Sequence, residues 1–178
     1  MNFIAKMKHW QIFAFVAAPF LLAFLVIPFS AMFKIQYNQT MIILSSLLGV
    51  WIISILLYIL LIGITLDKIA NFTNKPNRNI FIILMIYSLC YSLFFITIIS
   101  GLNPLKNQNI MSIIFPLHIF SMICNFYGLR YTAKLLVSIE RNEIATANYY
   151  LGEFFLLWFI PIGIWILQPR INKIVENN

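Results

Sequence analysis

The run from Pro116 to Thr132 holds the residues best suited to chemistry. His118, Ser121, Asn125, Gly128 and Thr132 follow one another at steps of 3, 4, 3 and 4. On a helix that spacing puts all five on one face. The stretch around them is apolar, and polar groups inside lipid are costly enough to mark a site or a contact. Two chemistries fit the stripe. His118 changes charge near neutral pH, which suits a proton or ligand site with Asn125 one to two turns away. Alternatively, small and polar side chains let two helices approach closely and hydrogen-bond across.

A second seam lies upstream. Tyr87, Ser88, Tyr91 and Ser92 form pairs four apart, and such pairs share a helix face. Ser88 with Ser92, Ala14 with Ala18 and Ser45 with Gly49 also match the small-xxx-small packing pattern. Packing explains these residues, and a cavity lined by Tyr87, Tyr91, His118 and Asn125 is the alternative. Further groups are expected where apolar runs meet water. Arg130, Arg141 and Glu153 are expected at the headgroup level, with pairing of Glu153 to Arg130 or Arg141 as the alternative. Gln168 and Arg170 follow a run broken by Pro161 and Gly163. They are expected to reach headgroup phosphates or free carbonyls at a helix end, and arginine makes such planar contacts well.

Several chemistries are disfavoured. The sequence has no H-E-x-x-H zinc motif, no G-x-S-x-G turn and no P-loop. One histidine lies inside an apolar run, so haem ligation by two histidines is unavailable within the chain. No acid pair lies inside such a run either. Cys90 and Cys124 lack the spacing of a redox or metal pair. Neither a metal nor a cofactor is expected.

The elements that position these residues follow from composition. Hydrophobic residues make up 62% of the 178 residues and charged residues 10%, against about 25% charged in a soluble domain. A soluble fold could not cover itself with so few charges, but lipid removes that need. Five apolar runs, approximately 11–33, 41–66, 80–100, 110–129 and 149–167, meet or approach the roughly 20 residues that cross a bilayer as helix. Backbone groups must be paired in lipid, so runs without strand alternation are helical. The fold expected is a single all-α domain over residues 1–178, a polytopic transmembrane bundle of four spans plus a fifth segment. Length favours a full crossing by that fifth segment, while its Pro161–Gly163 break favours re-entry.

Charge sets the orientation. Five crossings put eight Lys and Arg on one side and four on the other, with the N-terminus cytoplasmic. A re-entrant fifth segment moves Arg170 and Lys173 across and makes the bias ten to two. Lys6 and Lys8 precede a first run too long for a signal core, so that run is expected to stay as a helix. Residues Tyr131 to Glu143 continue segment four either as an interfacial helix or as a projecting helix end. The net charge of +7 is spread over short links. Attraction to anionic lipid is therefore expected, and nucleic-acid binding is not.

The stretch Phe159-Ile160-Pro161-Ile162-Gly163-Ile164-Trp165, followed by Gln168-Pro169-Arg170-Ile171-Asn172-Lys173, is similar to the ending of small uncharacterised bacterial multi-spanning membrane proteins. The resemblance covers about 25 residues. It implies that the two pieces act together and brings no activity with it. The function expected is a non-enzymatic membrane module, meaning a subunit, scaffold or immunity-type protein. Its partners are the bilayer, other membrane proteins or further copies of the chain. A small-molecule or lipid carrier using the His118 face is the first alternative. A lipid enzyme at the interface, using Glu153, Arg130 or Arg141, is the second.

Overall fold

The computed structural model describes residues 6–101 and 108–177. The link that contains Lys106 lies outside them. Every regular element from residue 9 onward among the described residues is a helix: α1 (His9–Met32), α2 (Tyr37–Ile69), α3 (Arg78–Gly101), α4 (Gln108–Arg141), α5 (Ala147–Trp158) and α6 (Ile160–Glu176). The first four are long and apolar enough to cross a bilayer. The 24 residues of α1 span about 36 Å, against a hydrocarbon core of about 30 Å. With 33 and 34 residues, α2 and α4 reach about 50 Å, so they must project beyond the core.

Helices α1 to α4 pack in chain order, and α2 also touches α4. Large apolar side chains stay exposed around the outside, including Phe15, Phe24 and Leu25 on α1, Ile83 on α3, and Ile113 and Phe115 on α4. In water such a surface would drive aggregation, whereas in a bilayer it faces lipid. The chain forms the all-α membrane bundle that composition requires.

Two helix ends are built alike. At Lys34, φ is 51°, and at Asn142 it is 54°. After α1, the Ile35 N–H donates to the Ser30 carbonyl at 2.9 Å and the Lys34 N–H to the Ala31 carbonyl at 3.4 Å. After α4, Glu143 and Asn142 repeat the pattern on Ser138 and Ile139 at 3.1 and 3.2 Å. These paired bonds satisfy carbonyls at the end of a helix. The Ser138 hydroxyl then accepts the Ala145 N–H at 2.9 Å, which turns the chain toward α5.

The fifth apolar run folds as two helices packed on each other. Phe159 leaves the helical conformation (φ −89°, ψ 62°) and divides the run into α5 and α6. Their 12 and 17 residues make about 18 and 26 Å, each short of a core of about 30 Å. Pro161 falls in the first turn of α6, where its missing N–H leaves no bond unmade. Gly163 rests against the Leu156 carbonyl with no room for a Cβ. Helix α6 folds back on α5 and packs beside α1. The Met7 carbonyl accepts bonds from the Gln168 and Asn172 amides, each at 3.2 Å. The end of α6 therefore lies beside the start of α1, at the end of the bundle that also holds Asp67 and Glu140.

The stretch after Tyr131 continues α4 as a projecting helix end. Leu135 and Leu136 are buried at 1% and 0% exposure. A helix lying flat on a membrane would instead turn such side chains outward into lipid.

Candidate functional site

The polar stripe of α4 faces α3. The Ser88 hydroxyl lies 3.0 Å from that of Ser121 and donates to Asn125 Oδ1 at 2.5 Å. The Tyr91 hydroxyl is 3.1 Å from His118 Nδ1. Tyr87 donates to the Leu117 carbonyl at 3.4 Å. Farther along, the Phe81 and Tyr131 rings stack at 4.1 Å. His118, Ser121, Asn125, Tyr87 and Tyr91, singled out by spacing, thus meet across one interface. Ser88 and Ser121 are buried, while His118 sits exposed at the outer edge. Around Ser88 and Ser121 the polar atoms are buried and bonded to one another, whereas the buried Thr132 hydroxyl at the far end of the stripe has no hydrogen-bond partner among the described residues.

The burial of Ser88 and Ser121 keeps water from this part of the seam, which predicts a labelling pattern. In a Cys90→Ser, Cys124→Ser background, Ser121→Cys should resist a membrane-impermeant thiol reagent that modifies Lys134→Cys readily. Labelling of both at similar rates would mean that the seam is wet.

Asp67 closes the second apolar run of the sequence. In the fold its side chain is buried at 4% exposure and draws three groups together. Tyr131 donates its hydroxyl to Asp67 Oδ1 at 2.9 Å. Lys75 Nζ lies 3.3 Å from Oδ1, and Arg78 Nε lies 3.8 Å from Oδ2. Lys75 also donates to the Asp67 and Ala70 carbonyls at 2.8 and 3.2 Å, which caps the end of α2. The signal present in the sequence is the shortness of the link, since few residues separate Asp67 from both cations.

The remaining charged candidates are placed by the hairpin. Arg130 donates through Nε to the Tyr150 hydroxyl at 3.1 Å. Arg141 pairs with Glu143 at 2.9 Å and lies over the Tyr149 ring, 3.8 Å from its centroid. Glu153 neither stands free at the headgroup level nor meets Arg130 or Arg141, and accepts instead from Arg170 at 2.9 Å. Arg170 also forks onto Glu140, with Nε 2.7 Å from Oε1 and Nη2 bonded to Oε2. The Glu140 bond raises the Arg170 guanidinium above its ordinary value, and Glu153 adds to this while burial opposes it. Arg170 is therefore a fixed charge that ties the ends of α4 and α6.

Gln168 departs from the headgroup position expected of it. It is 0% exposed. Its Oε1 accepts from Tyr58 at 3.1 Å, and its Nε2 donates to Met7 O at 3.2 Å and to Asn172 Oδ1 at 2.8 Å. The cause is the turn at Phe159, which carries the residue back between α1 and α2. A buried amide needs such partners.

The described residues also form a cleft of about 210 Å³ lined by Asn74, Pro76, Tyr127, Arg130, Tyr131 and Lys134. Tyr127, Arg130, Tyr131 and Lys134 lie three or four apart on α4, a spacing already visible in the sequence. No group of three His, Cys, Asp or Glu gathers into a metal site among the described residues. Comparison of the chain with protein-family models, with curated proteins and with solved structures finds no match.

Proposed function

We propose that the chain is a non-enzymatic module of the cell membrane, a subunit, scaffold or immunity-type protein. It works through helix contacts with other membrane proteins or with further copies of itself. The observation that carries this reading is the use of the α4 polar stripe inside the bundle, where a carrier would need it to line a passage. Packing signals point the same way. Gly49 is covered by Ile96 of α3, and Ser88 by Ser121 of α4. The third small-residue pair, Ala14 and Ala18, lies exposed on the outer face of α1. Small residues on a lipid-facing helix allow a second helix to approach closely.

Orientation follows from charge. With the end of α6 beside the start of α1, ten of the twelve Lys and Arg belong to one side and two to the other. The positive-inside rule makes the richer side cytoplasmic, with both chain ends on it.

The test uses a photoreactive amino acid incorporated at position 14 of the full chain in its native membrane. Irradiation should give a protein adduct, either to a second copy or to another membrane chain. The same probe at Ile83, which is 65% exposed on α3, should give lipid adducts alone. If position 14 also yields only lipid adducts, the chain does not act through that helix and the reading fails.

A further inference from the structure

The cleft at the projecting ends of α2 and α4 has a chemistry that the helix-contact function does not use. Its height can be read from the packing register. Phe20 of α1 stacks on Trp51 of α2 at 4.5 Å. Running the two helices antiparallel from that pair brings Lys8 level with Gly63. The neighbours of Gly63 are Phe81 of α3 and Thr132 of α4. Arg130 and Lys134 flank Thr132 on α4, so the cleft opens at the height where α1 begins. That height is marked by Lys8 and by Trp10, which is 53% exposed. Tryptophan and lysine at a helix end identify the level of the headgroups.

The lining is suited to an anion. Arg130 is held by its Nε bond to Tyr150, and among the described residues its terminal nitrogens make no bond within the chain. Lys134, one turn farther on, makes no ion pair among the described residues and is half-buried. Asn74 adds an amide, and the Tyr127 and Tyr131 rings, stacked at 6.4 Å, line the cleft beside Pro76. The nearest buried carboxylate, Asp67, is already taken by Lys75, Arg78 and the Tyr131 hydroxyl. It leaves the two cleft cations uncompensated. A guanidinium offers two parallel donors to phosphate oxygens, and an ammonium adds a point charge.

We infer that this cleft binds a phosphate ester anion through Arg130 and Lys134. The anion comes from the headgroup of an anionic phospholipid or from a soluble phosphate.

The experiment uses the purified full chain. Retention of phosphatidylglycerol against phosphatidylcholine is measured by native mass spectrometry from mixed micelles. Binding of inorganic phosphate is followed by phosphorus NMR line broadening. Wild type should retain phosphatidylglycerol preferentially or broaden the phosphate signal. The first result assigns the anion to lipid and the second to a soluble source. In either case Lys134→Gln should weaken binding about tenfold, the worth of one charge-assisted bond. That side chain holds no ion pair among the described residues, so its loss does not endanger folding. Arg130→Gln/Lys134→Gln should abolish the preference. Lys173→Gln removes an exposed cation from the same end of the bundle and should leave binding unchanged. Three outcomes would overturn the inference: no preference for either anion, full retention by the double variant, or an equal loss in Lys173→Gln, which would mean diffuse attraction.

Discussion

Gly163→Ala should be among the most damaging single substitutions in the chain, because the added methyl would overlap the Leu156 carbonyl of the preceding helix. The obstacle is backbone, which cannot rotate aside as a side chain does. Relief requires α6 to move away from α5. That movement pulls Gln168 from Tyr58 and Met7, and Arg170 from Glu153 and Glu140. Overpacking alone costs about 1–3 kcal/mol, and the amide and ion pairs stranded by the movement bring the expected loss to about 3 kcal/mol or more. Gly152→Ala is the matched control. A Cβ there meets nothing within 4 Å, and alanine in a helix is favoured over glycine by about 0.5–1 kcal/mol. Thermal unfolding of the two variants in detergent should separate them in opposite directions. Trypsin should also cut after Arg170 faster in Gly163→Ala. Equal melting of both variants would mean that α6 does not rest on Leu156.

Asp67→Ala should rank next. It leaves the Tyr131 hydroxyl, Lys75 and Arg78 around an empty buried position. Removing one partner from a buried ion pair costs about 3–5 kcal/mol. Lys75 and Arg78 are 33% and 41% exposed, so solvent screens part of this and about 2–3 kcal/mol is expected. Asp67→Asn keeps an acceptor for Tyr131 and should lose about half as much, since a neutral hydrogen bond is worth about 1 kcal/mol. A double-mutant cycle with Tyr131→Phe separates the two contributions. If Asp67→Asn melts with Asp67→Ala, charge dominates the cluster. If it melts with wild type, Lys75 and Arg78 contribute nothing through Asp67, and the cluster is not an electrostatic tie between α2 and α3.

Much of the candidate seam was legible in the sequence. The steps from His118 to Thr132 place a stripe on one face, and the pairs on α3 place another. Two polar stripes in lipid have little choice but each other. What spacing could not tell was whether water would lie between them. That depends on the depth to which the helices interlock, as Met85 does against Gly128. The acid cluster and the cleft were less legible. They depend on α2 and α4 projecting beyond the core, and a hydropathy run stops where the lipid does. Hydropathy beyond Leu129 therefore left open whether the continuing helix lies flat or projects, and in the fold it projects to Arg141.

By itself, the sequence determined that this protein is a helical bundle built for a membrane. It determined that five apolar runs meet or approach the length of a span, because apolar length and backbone pairing are local properties. It also marked Pro161 and Gly163 as a break. It did not determine what the break does. Length favoured a crossing and charge favoured a return, and both are weak, one-dimensional signals. The tertiary structure decided for the return through contacts between residues far apart in the chain. Gln168 bonds to Tyr58, 110 positions away, and to Met7, 161 positions away. Arg170 reaches Glu140 across 30. A buried amide and a forked ion pair are satisfied only when α6 turns back, and no local pattern can encode partners that only the folded chain brings together.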